Sequence, residues 1–263
     1  MNWLEALVLG IVQGLTEFLP ISSSGHLELG KALFQNQKET NSLLFVTTVH
    51  AATVLSTLIV FRNDIIKIFQ GIFTKKWNYS KKYFLMLIFS MLPVVFIGLF
   101  FKDFVENLFK GNIFFVGCML IISATLLFLT KFTKPTKQKP LSFINAFIIG
   151  IAQAIAVIPG ISRSGATIST GLMLGIKKDE IAKFSFLMVI IPILGEMFLN
   201  LLTEGCSTSK GETIPIILGF IAAFISGFFA CKFMINIVKK GNLIWFSLYC
   251  LIIGLTAILL SFI

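Results

Sequence analysis

Six apolar runs of about 18 to 21 residues divide the chain, at 43–61, 84–101, 113–130, 184–202, 214–231 and 243–263. A helix that crosses the hydrocarbon core of a bilayer needs roughly 20 mostly apolar residues, so each run is expected to be a transmembrane helix. Two further apolar regions, 1–34 and 141–175, are broken in the middle by Pro, Gly and Ser. Composition agrees. Of the 263 residues, 56% are hydrophobic and 13% charged, and the mean hydropathy is +0.93. Soluble domains carry about 25% charged residues. The 29 Phe suit a lipid-facing surface. The N-terminus has no basic leader and Glu5 interrupts its apolar run, so no cleavable signal is expected.

The formal charge of +10 reads as topology. Linkers 62–83, 131–140 and 232–242 carry +5, +4 and +3, whereas 102–112 and 203–213 carry 0 and −1. Lys and Arg stay on the cytoplasmic side, so the basic linkers are inside and no nucleic-acid partner is implied. Threading the runs through these linkers leaves 141–175 starting and ending inside. The 176–183 linker, at +1, is the weakest vote in this threading. Region 141–175 is therefore expected to be a re-entrant helix–loop–helix.

The halves also match. Shifted by 140 positions, 10–25 and 150–165 are identical at seven of sixteen positions, among them Gly10/Gly150, Gln13/Gln153, Ser22/Ser162, Ser24/Ser164 and Gly25/Gly165. Each half is a broken segment followed by three crossings, and the charge reading gives the halves opposite orientations. The expected fold is an all-α polytopic membrane protein: one membrane domain, 1–263, with six transmembrane helices and two re-entrant hairpins in an inverted-topology repeat, its halves about 1–131 and 141–263. Such folds bring broken helices together near the midplane, where exposed helix ends bind ions or substrates.

Polar groups deep in membrane segments carry function by default. Gln13 and Glu17 are four apart and share a helix face; Pro20 ends that helix. The loop Ser22-Ser23-Ser24-Gly25 precedes a new helix start, a combination suited to an anion. The second loop repeats Ser-x-Ser-Gly with Ser162, Ser164 and Gly165, and places Arg163 where Ser23 stands. Arginine offers a fixed, always-charged fork that fits phosphate oxygens. With His26 as a base and Glu17 and Gln13 as oxygen ligands for a hard cation such as Mg²⁺, this is an inventory for phosphoryl transfer.

The run Gln13-Gly-Leu-Thr-Glu17-Phe-Leu-Pro-Ile-Ser-Ser-Ser-Gly-His26 resembles the Glu/Gln-xxx-Glu motif, with its following serines and histidine, of the bacterial undecaprenyl-diphosphatase family of the bacitracin-resistance type. Pro159-Gly-Ile-Ser162-Arg163-Ser-Gly-Ala-Thr167 is similar to that family's Pro-Gly-x-Ser-Arg-Ser-x-x-Thr motif. The resemblance implies hydrolysis of undecaprenyl diphosphate to the monophosphate and phosphate. That activity recycles the lipid carrier for peptidoglycan synthesis and confers bacitracin resistance. It implies a divalent cation (Mg²⁺ or Ca²⁺), a prenyl diphosphate substrate among membrane lipids, and the bacterial plasma membrane with the site facing outside. By position it puts Glu17 and Gln13 in the metal or acid–base site, Ser23 and His26 near the reacting phosphorus, and Arg163, Ser162 and Thr167 on the diphosphate. The remaining loop groups, Ser22, Ser24, Gly25 and Ser164, are expected to line the same anion site. Gln13 is the amide variant of its motif position, which leaves Glu17 the ionic work. Two routes stay open: attack by Ser23 with His26 as base, and attack by a water activated by His26 or Glu17.

The other polar residues have plainer readings. His50 is expected to pack within run 43–61 or to make an interhelical hydrogen bond. Glu196 has no motif around it. Trp3, Trp77 and Trp245 read as interfacial anchors. Cys118, Cys206, Cys231 and Cys250 lack metal-ligand spacing and read as small apolar side chains. A phosphatidic-acid-type phosphatase would need a histidine after Arg163, and none follows. A lipid-phosphate carrier remains a second function class, since broken inverted repeats also build transporters. The sequence leaves a monomer and a homodimer equally open.

Overall fold

The computed structural model describes residues 2–26, 29, 43–108, 112–133, 139–204 and 213–262, with the side chain of Glu196 outside that description. Cys206 and most of the 203–213 linker fall outside it too. Among the described residues the protein is all-helical, without strands. In chain order the helices are α1 (Trp3–Phe18), α2 (Leu43–Val60), α3 (Arg62–Ile72), α4 (Tyr79–Phe100), α5 (Lys102–Leu108), α6 (Ile113–Leu129), α7 (Phe143–Ile155), α8 (Arg163–Met173), α9 (Lys178–Met188), α10 (Ile190–Glu204), α11 (Thr213–Lys240) and α12 (Ile244–Leu260).

Spans Tyr79–Phe100, Ile113–Phe132 and Thr213–Lys240 are each long and apolar enough to cross a membrane alone. A fourth is the pair Leu44–Val60 and Arg62–Ile72, bent by 75°. The bend falls where Arg62-Asn63-Asp64 ends the apolar run of α2, and α3 buries none of its residues. Run 184–202, expected as one crossing, is instead divided at Val189 between α9 and α10. Helix α12 is a shorter apolar helix of 17 residues.

The outer surface is apolar: Leu99, Ile144, Phe229 and Leu259 are all exposed. Trp3, Trp77 and Trp245 are exposed as well. The interior holds Ser56, Thr57, Ser90, Ser123 and Gln153, all buried. The hydroxyls of Ser56, Thr57, Ser90 and Ser123 are satisfied locally or across helices, whereas Gln153, Ser169 and Tyr83 hold buried side-chain atoms without a partner among the described residues. Ser56 Oγ lies 2.8 Å from Phe224 O and ties α2 to α11. An apolar exterior around a mostly hydrogen-bonded polar interior suits a lipid environment. The cysteines among the described residues are free, and Cys231 and Cys250 are buried.

The packing alternates between the halves. Helix α1 packs on α11, while its sequence counterpart α7 packs on α4; α6 and α12 pack on each other. The matched glycines explain how close the first two pairs come. A Cβ on Gly10 would lie 2.4 Å from Gly219 O, and one on Gly150 would lie 2.2 Å from Ser90 O. No side chain fits at either contact.

Candidate active site

Helix α1 presents Gln13 and Glu17 one turn apart, and Gln13 Nε2 donates to Glu17 Oε2 at 2.9 Å. The helix stops because Pro20 forces the residue before it out of the helical region; Leu19 sits at φ −71°, ψ 142°. The chain then turns through Ser22, a non-glycine residue at φ 67°. Such backbone costs on the order of 1–3 kcal/mol and gathers at functional sites. Ser22 begins the next helix: its Oγ accepts from Gly25 N at 3.1 Å and lies 3.3 Å from Ser24 Oγ. Ser23 projects back toward α1, and its Oγ donates to Glu17 Oε2 at 3.3 Å.

The second loop repeats the cap. Ser162 Oγ accepts from Gly165 N at 3.1 Å and lies 3.4 Å from Ser164 Oγ. Here the positive φ moves to a glycine, Gly160 at 95°. The same Ser-x-Ser-Gly spelling therefore yields the same N-cap twice, with the Ser22 and Ser162 hydroxyls engaged in holding helix starts. The loops touch: Ser164 Oγ donates to Leu19 O at 3.2 Å.

Where they meet lies a narrow cleft lined by Glu17, Arg163, Ser164 and Thr167. Phe18, Val54 and Phe186 form part of its apolar wall. Thr167 Oγ1 bonds Arg163 O at 2.9 Å and also meets Ser185 Oγ. The Glu17 side chain is 8% exposed, yet it faces polar neighbours. Among the described residues the Arg163 guanidinium has neither a hydrogen-bond partner nor an ion pair. Arg163 is the first residue of α8, whose leading N–H groups lack intrahelical acceptors. A free guanidinium, a helix N-terminus and a nearly buried carboxylate around one cleft suit an anionic ligand with a protonatable group.

The two histidines sit differently against the site. His26 does not reach Ser23 with either nitrogen: Nδ1 pairs with Ser22 O at 2.8 Å and Nε2 with Tyr249 OH at 2.8 Å. His50, expected to pack or to bond across helices, has Nε2 4.0 Å from Glu17 Oε2 on the neighbouring helix and Nδ1 against Val46 O. Thr53 and Thr57, on the same helix, line the cleft. Positions 50, 53 and 57 share a helix face, a spacing visible in the sequence. Ser185, on α9, carries no such signal. Ser22, Ser23, Ser24, Gly25, His26 and Ser162 lie in the loops beside the cleft rather than on its lining.

For a cation the site offers oxygen. Gln13 Oε1 is buried without a hydrogen-bond partner, beside Glu17. No group of three or more His, Cys, Asp and Glu side chains able to hold a metal is gathered among the described residues. One carboxylate and an amide oxygen suit a hard cation that takes its other ligands from water and phosphate.

Residues 6–256 match the family described as Bacitracin resistance protein BacA. The chain is 52% identical over 268 residues to the undecaprenyl-diphosphatase of Bacteroides fragilis (strain YCH46), covering 99% of each chain. It is 50% identical over 266 residues to the undecaprenyl-diphosphatase of Bacteroides thetaiotaomicron, covering 98% of this chain and 99% of that one. At 38% identity over 264 residues it is also similar to the undecaprenyl-diphosphatase of Korarchaeum cryptofilum, covering 97% and 98%.

Proposed function

Because the chain belongs to the bacitracin resistance protein BacA family, we propose that it is an undecaprenyl-diphosphate phosphatase. It hydrolyses the lipid diphosphate to undecaprenyl phosphate and inorganic phosphate, which returns the carrier to peptidoglycan synthesis. The observation that carries this reading is the cleft shared by Glu17 at the end of α1 and Arg163 at the start of α8, a guanidinium without a partner among the described residues.

In this reading Arg163 and the first amides of α8 hold the diphosphate. Ser23 Oγ attacks the terminal phosphorus while Glu17, its hydrogen-bond acceptor, takes the proton. The bond from phosphorus to the bridging oxygen breaks, Glu17 passes its proton to the departing phosphate oxygen, and undecaprenyl phosphate leaves. The carboxylate so restored deprotonates a water that attacks the phosphoserine, and Glu17 returns that proton to Ser23 Oγ as inorganic phosphate departs. The geometry favours Glu17 over His26 as the base, since His26 is occupied by Ser22 and Tyr249. A bound Mg²⁺ or Ca²⁺ supplies charge neutralisation on the phosphate oxygens; Glu17 and the free Oε1 of Gln13 would hold it.

The membrane arrangement belongs to the same reading. At about 1.5 Å per residue, α7 and α8 span roughly 20 and 17 Å, short of the roughly 30 Å hydrocarbon core. That supports a re-entrant hairpin, and the exchanged packing of α1 on α11 and α7 on α4 supports an inverted repeat. The protein lies in the bacterial plasma membrane with its basic linkers inside and the cleft open to the outside.

The test is phosphate release from a soluble prenyl diphosphate by purified protein, with Mg²⁺, with Ca²⁺ and with chelator. Release that chelator stops and Glu17→Ala abolishes in folded protein is the expected result. Well-folded wild type that releases no phosphate under any metal would refute the reading.

A further inference from the structure

Residues outside both motifs also hold the two loops in place. Ser123 stands in the middle of α6, 3% exposed. Its Oγ donates to Gly160 O at 3.1 Å and accepts from Ser162 N at 2.9 Å. A serine in a membrane helix usually bonds the carbonyl one turn back; this one closes both sides of a turn almost 40 residues away. The turn it closes delivers Arg163. On α12, Tyr249 lies parallel to the His26 ring, with centroids 5.6 Å apart and planes 7° apart, and its hydroxyl meets His26 Nε2 at 2.8 Å. The next residue, Cys250, contacts Pro20 O with Sγ at 3.5 Å. So α6 braces the second loop and α12 the first.

The two bracing helices also touch backbone to backbone. A Cβ on Gly117 of α6 would come 2.9 Å from Gly254 O, and one on Gly254 would come 2.9 Å from Gly117 O. Small residues at such a crossing let membrane helices approach closely. The distance between the loops is then set by this crossing as well as by their direct contact.

We propose that the α6–α12 pair is the frame that registers the two loops against each other, with Ser123 and Tyr249 as positioning residues for the diphosphate site. The proposal rests on the phosphatase reading above. Without the Ser123 hydroxyl, a buried carbonyl and a buried amide both lose their partner, and the turn must move to satisfy them. A shift of about 1 Å in a group that orients substrate reduces rate on the order of a hundredfold.

The experiment measures kcat and KM for farnesyl diphosphate, and Tm, on full-length purified protein. The set is wild type, Ser123→Ala, Ser123→Thr, Tyr249→Phe and Ser56→Ala. Ser56 donates to Phe224 O at 2.8 Å between α2 and α11, outside the frame and both loops. It is the control for loss of a buried interhelical bond. Ser123→Ala should lower kcat at least about tenfold, and Ser123→Thr, which keeps the hydroxyl, should restore it to within about threefold. Tyr249→Phe should lower kcat about fivefold or more, while Ser56→Ala lowers Tm and keeps kcat within about twofold. An active wild type with Ser123→Ala within twofold of it, or Ser56→Ala losing as much, refutes the proposal alone. If Ser123→Ala does not fold, Tyr249→Phe decides, because it removes one oxygen and keeps the ring; unchanged kcat refutes the frame. A wild type without turnover refutes the phosphatase reading and the frame with it.

Discussion

Replacing Arg163 with lysine keeps the positive charge and removes the fork. In the folded protein the guanidinium has no partner among the described residues, so the exchange breaks no bond that holds the fold together. Thermal stability should stay at the wild-type value. Substrate binding is a different matter. Arginine can give two charge-assisted hydrogen bonds to phosphate oxygens where an ammonium gives one. Such a bond contributes about 1.5–3 kcal/mol, so losing one should lower kcat/KM about 10- to 150-fold. Arg163→Ala loses both bonds and the charge, which predicts a fall on the order of 10² to 10⁴. The assay is phosphate release from farnesyl diphosphate at fixed metal and detergent, beside a melting curve for each variant. Arg163→Lys within threefold of wild type, or a large fall in Tm, would show that the guanidinium serves the fold and that the phosphate is held elsewhere.

The equivalent glutamines of the two halves should respond in opposite ways. Gln153 is buried with both side-chain polar atoms unpartnered, so Gln153→Leu should raise stability by about 1 kcal/mol or more and leave turnover intact. Gln13→Leu should lower turnover at least about tenfold, because it strips Glu17 of a donor; a fall in Tm for Gln153→Leu would contradict the first half. Ser56→Ala removes the tie from α2 to α11 and should cost about 1–2 kcal/mol in chemical unfolding. Lys183 pairs with Asp64 where both side chains are about a third exposed. Lys183→Ala should therefore cost at most about 1 kcal/mol, and less in high salt, read from denaturation at two ionic strengths.

Much of the site is written locally. Pro20 fixes the end of α1, and Ser-x-Ser-Gly encodes a cap that Ser22 and Ser162 both execute. The Gln13–Glu17 spacing encodes their hydrogen bond. Features set by distant partners were not legible. Nothing near His26 points to Tyr249, 223 residues away. The break at Val189, by contrast, is local: Pro192 has no N–H to give Met188 O and crowds that carbonyl, and a hydropathy reading passes over it. For His50, a lone imidazole in an apolar run without a motif, the sequence allows packing or an interhelical bond but does not name the partner; the packing of α1 beside α2 brings Glu17 to it.

The central claim is that the two loops form one site. A double-mutant cycle on Glu17→Asp and Arg163→Lys tests it most directly, with kcat/KM for farnesyl diphosphate measured above the detection floor. Residues that act as a unit lose activity non-additively. The double variant should therefore be no more than a fewfold worse than the poorer single variant. Losses that multiply would contradict the account and assign the two residues to independent sites.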